Sequence, residues 1–180
     1  MGTRERRARS NEADRLLSSL FQQSGADLHE VAIAAVGGFG RGELAPGSDL
    51  DIVIIHSGSL SDSKLADVTN KVLYPLWDYK VDGRNIKVDH SVRTCAEMRT
   101  TAESDLKVAL GLLDIRHICG NKDLVEEVGE EALQSWRKNS NSRLSELERS
   151  LAERHQRVGE LAYLLEPDIK EARGGLRDIT

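Results

Sequence analysis

Gly37-Gly-Phe-Gly-Arg-Gly-Glu-Leu-Ala-Pro-Gly-Ser-Asp-Leu-Asp51 lies between two short apolar runs, Val31–Val36 and Ile52–Ile55. Each run is strand-sized and bounded by turn-forming residues, which predicts two buried strands joined by a glycine-rich loop. Three mechanisms compete for that loop. A P-loop needs a lysine after its second spaced glycine to meet phosphate, and although Gly37 and Gly42 have the spacing, Glu43 stands in that place. A dinucleotide fingerprint can be laid over Gly40-Arg-Gly-Glu-Leu-Ala45, but its glycines must open a helix and Pro46-Gly47 interrupts the chain at once. The third mechanism treats the glycines and the two aspartates as one site. If Leu50 to Ile55 enter the second strand, Asp49 and Asp51 project from the same face. Two such carboxylates can share divalent metal. A pair of magnesium ions roughly 3.5–4 Å apart activates an attacking oxygen and neutralises a triphosphate, which is how two-metal nucleotidyl transfer lowers its barrier. Glycine just upstream lets backbone N–H groups approach the phosphates without side-chain interference.

Outward from this stretch the periodicity is mostly helical. Ala13, Leu16, Leu17, Leu20 and Phe21 predict an amphipathic helix ending near Ser24–Gly25. Ser61-Asp-Ser-Lys64 opens a second, with Leu65, Val68, Val72, Leu73 and Leu76 on one face and a stop near Trp77–Tyr79. Asp82-Gly83 marks a turn. Asn85–Arg93 alternates, with Ile86, Val88, His90 and Val92 on one side and Lys87, Asp89, Ser91 and Arg93 on the other, and predicts a third strand. Asp89 then offers a third carboxylate, as metal ligand or as base, provided the register holds; a one-residue slip turns it to the opposite face.

After Thr94 no strand signal is read. Ser104–Ile118, closed by Gly120, reads as a buried helix, and Asn121 starts another that runs to about Lys138. Asn139–Asn141 reads as a polar linker. Leu144, Leu147, Leu151, Val158, Leu161 and Leu165 share a stripe until Glu166-Pro167, which is most simply helical core and otherwise a surface left bare by truncation, prone to self-association. The expected organisation is an N-terminal helix (1–25), an α/β core with a short mixed sheet (26–119) and a helical segment (120–180).

These residues carry a resemblance. A Gly-Gly pair after a strand, then Ser48-Asp49-x-Asp51 heading the next, resembles the polymerase-β-like nucleotidyltransferase superfamily. More narrowly, Gly37–Leu44, His90-Ser-Val-Arg93 and Glu166-Pro-Asp-Ile-Lys-Glu-Ala-Arg-Gly-Gly-Leu-Arg-Asp178 resemble the bacterial P-II protein uridylyltransferase family. The resemblance implies transfer of UMP from UTP, or AMP from ATP, to a tyrosine of the trimeric P-II signal protein, with magnesium. It implies Asp49 and Asp51 as metal ligands and catalytic residues, to which the strand alternation adds Asp89, with Gly37 and Gly38 as the triphosphate cradle and Ser48 and Arg41 as nucleotide contacts. Asp89 departs from the family pattern, in which many relatives carry glycine before the His-Ser-Val-Arg motif. Family members are several times longer, with a hydrolase that removes the nucleotide and domains that sense glutamine. None of His29, His56, His90, His117 or His155 precedes an aspartate, so the hydrolase's His-Asp signature is missing and a truncated chain with transferase chemistry alone is expected.

Composition narrows the alternatives. With 39% hydrophobic and 31% charged residues among 180, the chain buries a core, and at 4% aromatic content Leu, Val, Ile and Ala must fill it. No apolar run approaches the roughly eighteen residues of a membrane helix and no secretory signal pattern follows the basic Arg4–Arg9, so the cytoplasm is the expected compartment, with no membrane partner. A formal charge of −5 argues against a protein that coats DNA. Cys95 and Cys119 lack His or Cys neighbours at metal spacing and read as small buried hydrophobes.

Plainer readings stand beside these. The aspartates can merely edge a turn, Arg41 and Glu43 can simply pair with each other, and His90 reads as an inward-facing sheet residue. Lys170, Arg173 and Arg177 read either as solvated charge or as groups that approach nucleotide or protein substrate. Two rival functions remain at this stage: a nucleotidyltransferase acting on a small molecule, and an inactive remnant that binds nucleotide or P-II protein.

Overall fold

A computed structural model of the chain describes residues 2–81, 84–160, 166 and 168–178. Residues 1–135 and 136–180 form two compact units, with the division falling near the end of one helix. In the first unit the elements run α1 (Thr3–Ser24), β1 (Val31–Ala35), α2 (Gly37–Gly40), β2 (Leu50–His56), α3 (Asp62–Asp78), β3 (Lys80–Val81), β4 (Arg84–Asn85), β5 (Val88–Thr94), α4 (Cys95–Ser104), α5 (Leu106–Leu113), β6 (Arg116–Gly120) and α6 (Lys122–Lys138). The second contains α7 (Ser140–Val158) and a 3-10 turn at Leu176–Asp178.

All five residues of β1 are buried, as its uninterrupted apolar sequence requires of a central strand. It lies in a four-stranded sheet of order β5-β2-β1-β6. β1 is antiparallel to both β2 and β6, whereas β2 and β5 are parallel, so the sheet is mixed. Strand alternation divides the apolar side chains between two faces. Val31, Ile33, Ala35, Leu50, Ile52 and Ile54 pack with Leu17 and Phe21 of α1 and with Val72, Leu73 and Leu76 of α3. Ala32, Ala34, Val53 and Ile55 pack on the other side with Met98, Leu112, Val125 and Val128 from α4, α5 and α6. Each fully buried Leu, Ile or Phe contributes about 1.5–3 kcal/mol of transfer free energy. Leucine and β-branched residues therefore build the core that the low aromatic content demands.

β1, β2 and β5 and the helices α1, α3 and α6 fall where the periodicity predicts them, whereas the short pair β3 and β4 was not read. Asp82-Gly83 lies outside the described residues. The expected helix over Ser104–Ile118 is corrected: α5 stops at Leu113 and the chain turns at Asp114 into β6, the strand not read after Thr94. Asp105 caps α5 by accepting from the N–H groups of Lys107 and Val108, at 2.8 and 3.3 Å. At the other end no glycine or proline announces the stop. What ends the helix is tertiary: β1 needs hydrogen-bond partners on its second edge, and Arg116–Gly120 supply them. Gly120, at φ +83°, turns the chain out of β6 where a Cβ would lie 2.1 Å from the Val31 carbonyl oxygen. The preceding helix α4 opens with a capping box between Thr94 and Glu97, in which the Glu97 N–H donates to Thr94 Oγ1 at 3.2 Å and the Thr94 N–H donates to Glu97 Oε2 at 2.8 Å.

In the second unit, α7 begins at Ser140, so helix occupies most of the expected Asn139–Asn141 linker. Its expected core stripe is corrected in part: Leu144 is exposed and Leu147, Leu151 and Val158 only half-buried, while Arg143 and Arg154 are the buried side chains. Leu161, Leu165 and Pro167 lie outside the described residues.

Burial pushes the Cys95 thiol up to about 11 and the Cys119 thiol up to about 12. Both are raised above the unfolded value of about 8.5, so their contribution to stability is complete below that pH and declines as pH rises toward 11 and 12. At pH 8 only about one Cys95 in a thousand is thiolate in the folded state, and fewer of Cys119. Iodoacetamide at pH 8 is therefore expected to label both cysteines in denaturant and neither on the same timescale in the folded chain, as read by intact mass.

Candidate active site

The sheet gathers the site at one end. β1 finishes there, and β2, β5 and β6 all start there, because β2 and β6 are antiparallel to β1 and β5 is parallel to β2. Asp51 is paired in register with Asp89 across the parallel ladder. Register partners on neighbouring strands point to the same face, about 4.8 Å apart along the hydrogen-bonding direction. The slip that would have turned Asp89 away is thus absent. Asp49 stands two positions ahead of Asp51 in the lead-in to β2, where the Leu50 N–H already donates to the Lys87 carbonyl at 2.8 Å. Asp49 and Asp89 are exposed, and Asp51 is half-buried.

The glycine stretch is not a bare turn. Gly37–Gly40 forms one helical turn, followed by Arg41 and Gly42, and its N–H groups close on Val36, Gly37, Gly38 and Phe39 carbonyls at 2.8–3.0 Å. The three glycines serve different needs. Gly37 has φ +56° and lies against Asp51, whose Oδ2 would be 3.4 Å from a Cβ there. Gly38 faces open space, its nearest neighbour to such a Cβ being Arg41 Nη2 at 4.0 Å. Gly40 is a packing glycine: a Cβ would meet the Asp114 carbonyl oxygen at 2.1 Å. Gly37 and Gly38 therefore leave room beside the aspartates, and Gly40 lets the loop sit down on the α5–β6 connection.

Arg41 folds back from the open side. Its Nε donates to Glu43 at 3.0 Å and its Nη1 to Asp114 at 2.6 Å. Burial works against the charge of Arg41, but these two carboxylates outweigh it and raise its pKa. Ser48 is exposed, and its N–H closes a turn on the Ala45 carbonyl at 3.1 Å. His90 corrects the inward-facing expectation. It lies on an edge strand, exposed, with its ring edge-on to Trp77 at 6.0 Å between centroids.

Asp14, Asp114 and Arg116 went unread. Arg116, the first residue of β6, donates to the Gly40 carbonyl at 3.0 Å and to the Phe39 carbonyl at 3.2 Å, and forms a bidentate pair with Asp14 of α1 at 2.8 and 3.1 Å. The only sequence signal was a charged residue inside what looked like a buried helix.

Polar groups tie the described residues of the Glu166–Asp178 motif to α7, to Glu160 and to one another. Asp178 accepts from His155 at 3.0 Å, from the Gly174 N–H at 2.7 Å and from Arg154. The His155 hydrogen bond and then that N–H hold its carboxyl below the usual range. Arg173 pairs with Glu160 at 2.9 Å and Arg177 with Glu171 at 2.7 Å.

Among the described residues, no three His, Cys, Asp or Glu side chains are gathered into a cation cage. Magnesium does not need one, since it is commonly held by one or two carboxylates with substrate phosphates and water completing the octahedron. Asp51 and Asp89, in register and with Asp49 at the mouth, fit that requirement.

Comparison with known proteins supplies the chemistry's context. Residues 15–108 match the nucleotidyltransferase domain family, and residues 131–180 match the family described as GlnD PII-uridylyltransferase. A bifunctional uridylyltransferase/uridylyl-removing enzyme of Streptomyces coelicolor is 46% identical over 99% of this chain and 21% of its own length. Enzymes of the same name from Mycobacterium tuberculosis and Vibrio campbellii are 45% and 37% identical, over 86% and 96% of this chain and 18% and 19% of theirs. The chain thus spans about a fifth of the length of the curated relatives it matches. A crystal structure of a toxin-antitoxin with AMP-PNP superposes with a TM-score of 0.45 and 12% identity, covering 77% of this chain and 98% of that one.

The contrast between glycines is testable. Gly40→Ala must displace backbone and is expected to cost about 2 kcal/mol or more, lowering the melting temperature by several degrees. Gly38→Ala meets open space and is expected to melt within about 2 °C of the wild type. Paired thermal unfolding curves by circular dichroism check both.

Proposed function

The chain belongs to the nucleotidyltransferase domain family, and from that premise we propose that it moves UMP or AMP from a nucleoside triphosphate to a tyrosine hydroxyl of the P-II signal protein. The observation that carries the reading is the in-register pair Asp51 and Asp89 beside the open backbone of Gly37 and Gly38. Its acceptor is supported by the family match over residues 131–180 and by the names of the relatives.

In the proposed reaction, the tyrosine oxygen attacks the α-phosphorus in line, the bond to the β-phosphate oxygen breaks, and pyrophosphate leaves. Asp49, Asp51 and Asp89 are the residues that would hold one or two magnesium ions. Bound there, magnesium would neutralise the phosphates and lower the pKa of the attacking hydroxyl. The chain's own part is orientation and proton transfer. Gly37 and Gly38 present backbone N–H groups to the triphosphate with no side chain in the way, and Ser48 offers a hydroxyl. Asp89, exposed on the edge strand, is read either as a third metal ligand or as the base that takes the tyrosine proton. Arg41 reaches the phosphates by exchanging Glu43 or Asp114 for a phosphate oxygen, a swap of exposed pairs that costs little.

No helix among the described residues is long and apolar enough to cross a membrane. We assign the reaction to the cytoplasm, where its nucleotide is available, with neither DNA nor a membrane as partner.

The test is incubation with magnesium, purified P-II protein and UTP or ATP labelled at the α-phosphate. Label on P-II is expected from the wild-type chain and at least about 100-fold less from Asp51→Asn. Equal labelling by that variant overturns the role of Asp51. A folded wild type that binds nucleotide yet labels nothing overturns the transferase reading.

A further inference from the structure

The glycine loop does not hold its own shape. A single helical turn gains few hydrogen bonds for the residues it fixes; its Phe39 carbonyl accepts from the Gly42 N–H at 3.0 Å inside the loop, and both end carbonyls take a donor from outside it. Arg116 provides that donor. Its guanidinium reaches the Gly40 and Phe39 carbonyls with Nε and Nη2 and lies 5.4 Å from the centroid of the Phe39 ring. The remaining edge of the fork is taken by both oxygens of Asp14. That arrangement uses the planarity of arginine: one side of the fork reads a carboxylate while another reads backbone. A second tie comes from the same helix, because the buried Ser10 Oγ accepts the Leu44 N–H at 3.3 Å.

We propose that Asp14 and Arg116 form a brace that positions the Gly37–Leu44 loop for the nucleoside triphosphate, making Arg116 a positioning residue of the transferase site. Both members lie outside residues 15–108, the span matched by the nucleotidyltransferase domain family. The brace is contributed by the first helix and by β6, the last strand of the sheet. It reaches the far side of the loop from Asp51, so Arg116 orders the cradle without occupying the space beside Gly38. The gain is preorganisation, since a loop already in its binding geometry loses less on ligand capture. This inference rests on the reading of the loop as the triphosphate cradle.

Two measurements on the 180-residue chain decide it, with the variants Asp14→Asn, Arg116→Lys and the pair combined. Hydrogen exchange without nucleotide reads the loop directly, through the amides of Gly40–Glu43, with the amides of β1 as an internal reference. Each variant is expected to exchange at least about tenfold faster in the loop and at unchanged rate in β1. Calorimetry with magnesium and UTP or ATP reads the consequence. Affinity for the preferred nucleotide is expected to fall about tenfold in each single variant, and no further in the double, because either change releases the same brace. Equal acceleration of loop and β1 would mean general destabilisation and overturns the proposal, as does unchanged affinity in a folded variant. A wild-type chain that binds neither nucleotide overturns the cradle reading, and with it this role for the brace. Binding retained in the variants overturns the brace alone.

Discussion

β1 is a strand with both faces covered and both edges occupied, and that is the constraint from which the rest of the first unit follows. Five consecutive buried residues carry backbone N–H and C=O groups that water cannot reach, so each edge must be paired. β2 meets one edge and β6 the other. Because both partners are antiparallel, each begins where β1 ends, and the loop that leaves β1 is forced into the space between their starting residues. Asp51 and Arg116 are the residues that flank it. The active-site end of the sheet is thus a consequence of hydrogen-bond satisfaction in the core, before any chemistry is considered.

Parallel pairing of β2 with β5 adds the second carboxylate. A hairpin cannot make that connection; the chain must cross over, and α3 does so while covering the sheet face that carries Val31, Ile33 and Ala35. One crossover helix therefore does two things. It buries the apolar side of the sheet and delivers Asp89 to the row of Asp51. The aspartates are on the opposite face from α3, which leaves their surroundings free of its side chains.

How much of this was readable depends on where the determining interaction lies. The two aspartates, the glycines and the alternation of Val88–Thr94 are local patterns, and each was visible because strand periodicity acts over two residues and loop chemistry over four or five. β6 was not visible. Ile115-Arg-His-Ile118 has too few residues to separate helix from strand by period, no stop signal follows Leu113, and only the vacant edge of β1, some eighty residues earlier, selects strand. Arg116 was lost with it. His90 shows the complementary failure: alternation gave its side of the sheet correctly, but β5 turned out to be an edge strand, and an edge position leaves even the inward row accessible. In α7, spacing identified a stripe of leucines, yet Arg143 and Arg154 are the buried residues, their charged ends paired with Glu146 and Asp178.

The pairing of β1 with β6 also sets an order of events in time. Closing a loop of roughly eighty residues carries an entropic cost that nearer pairings do not, so β1 and β2 come together before β6 docks. Until it does, the Phe39 and Gly40 carbonyls have no guanidinium to receive, and Asp14 has no partner across the loop. On a ribosome the delay is built in, since residues 116–120 emerge long after the aspartates and glycines have been made. A growing chain can therefore hold every residue of the candidate site and still lack the site's geometry. Competence arrives late, with the strand least evident in the sequence.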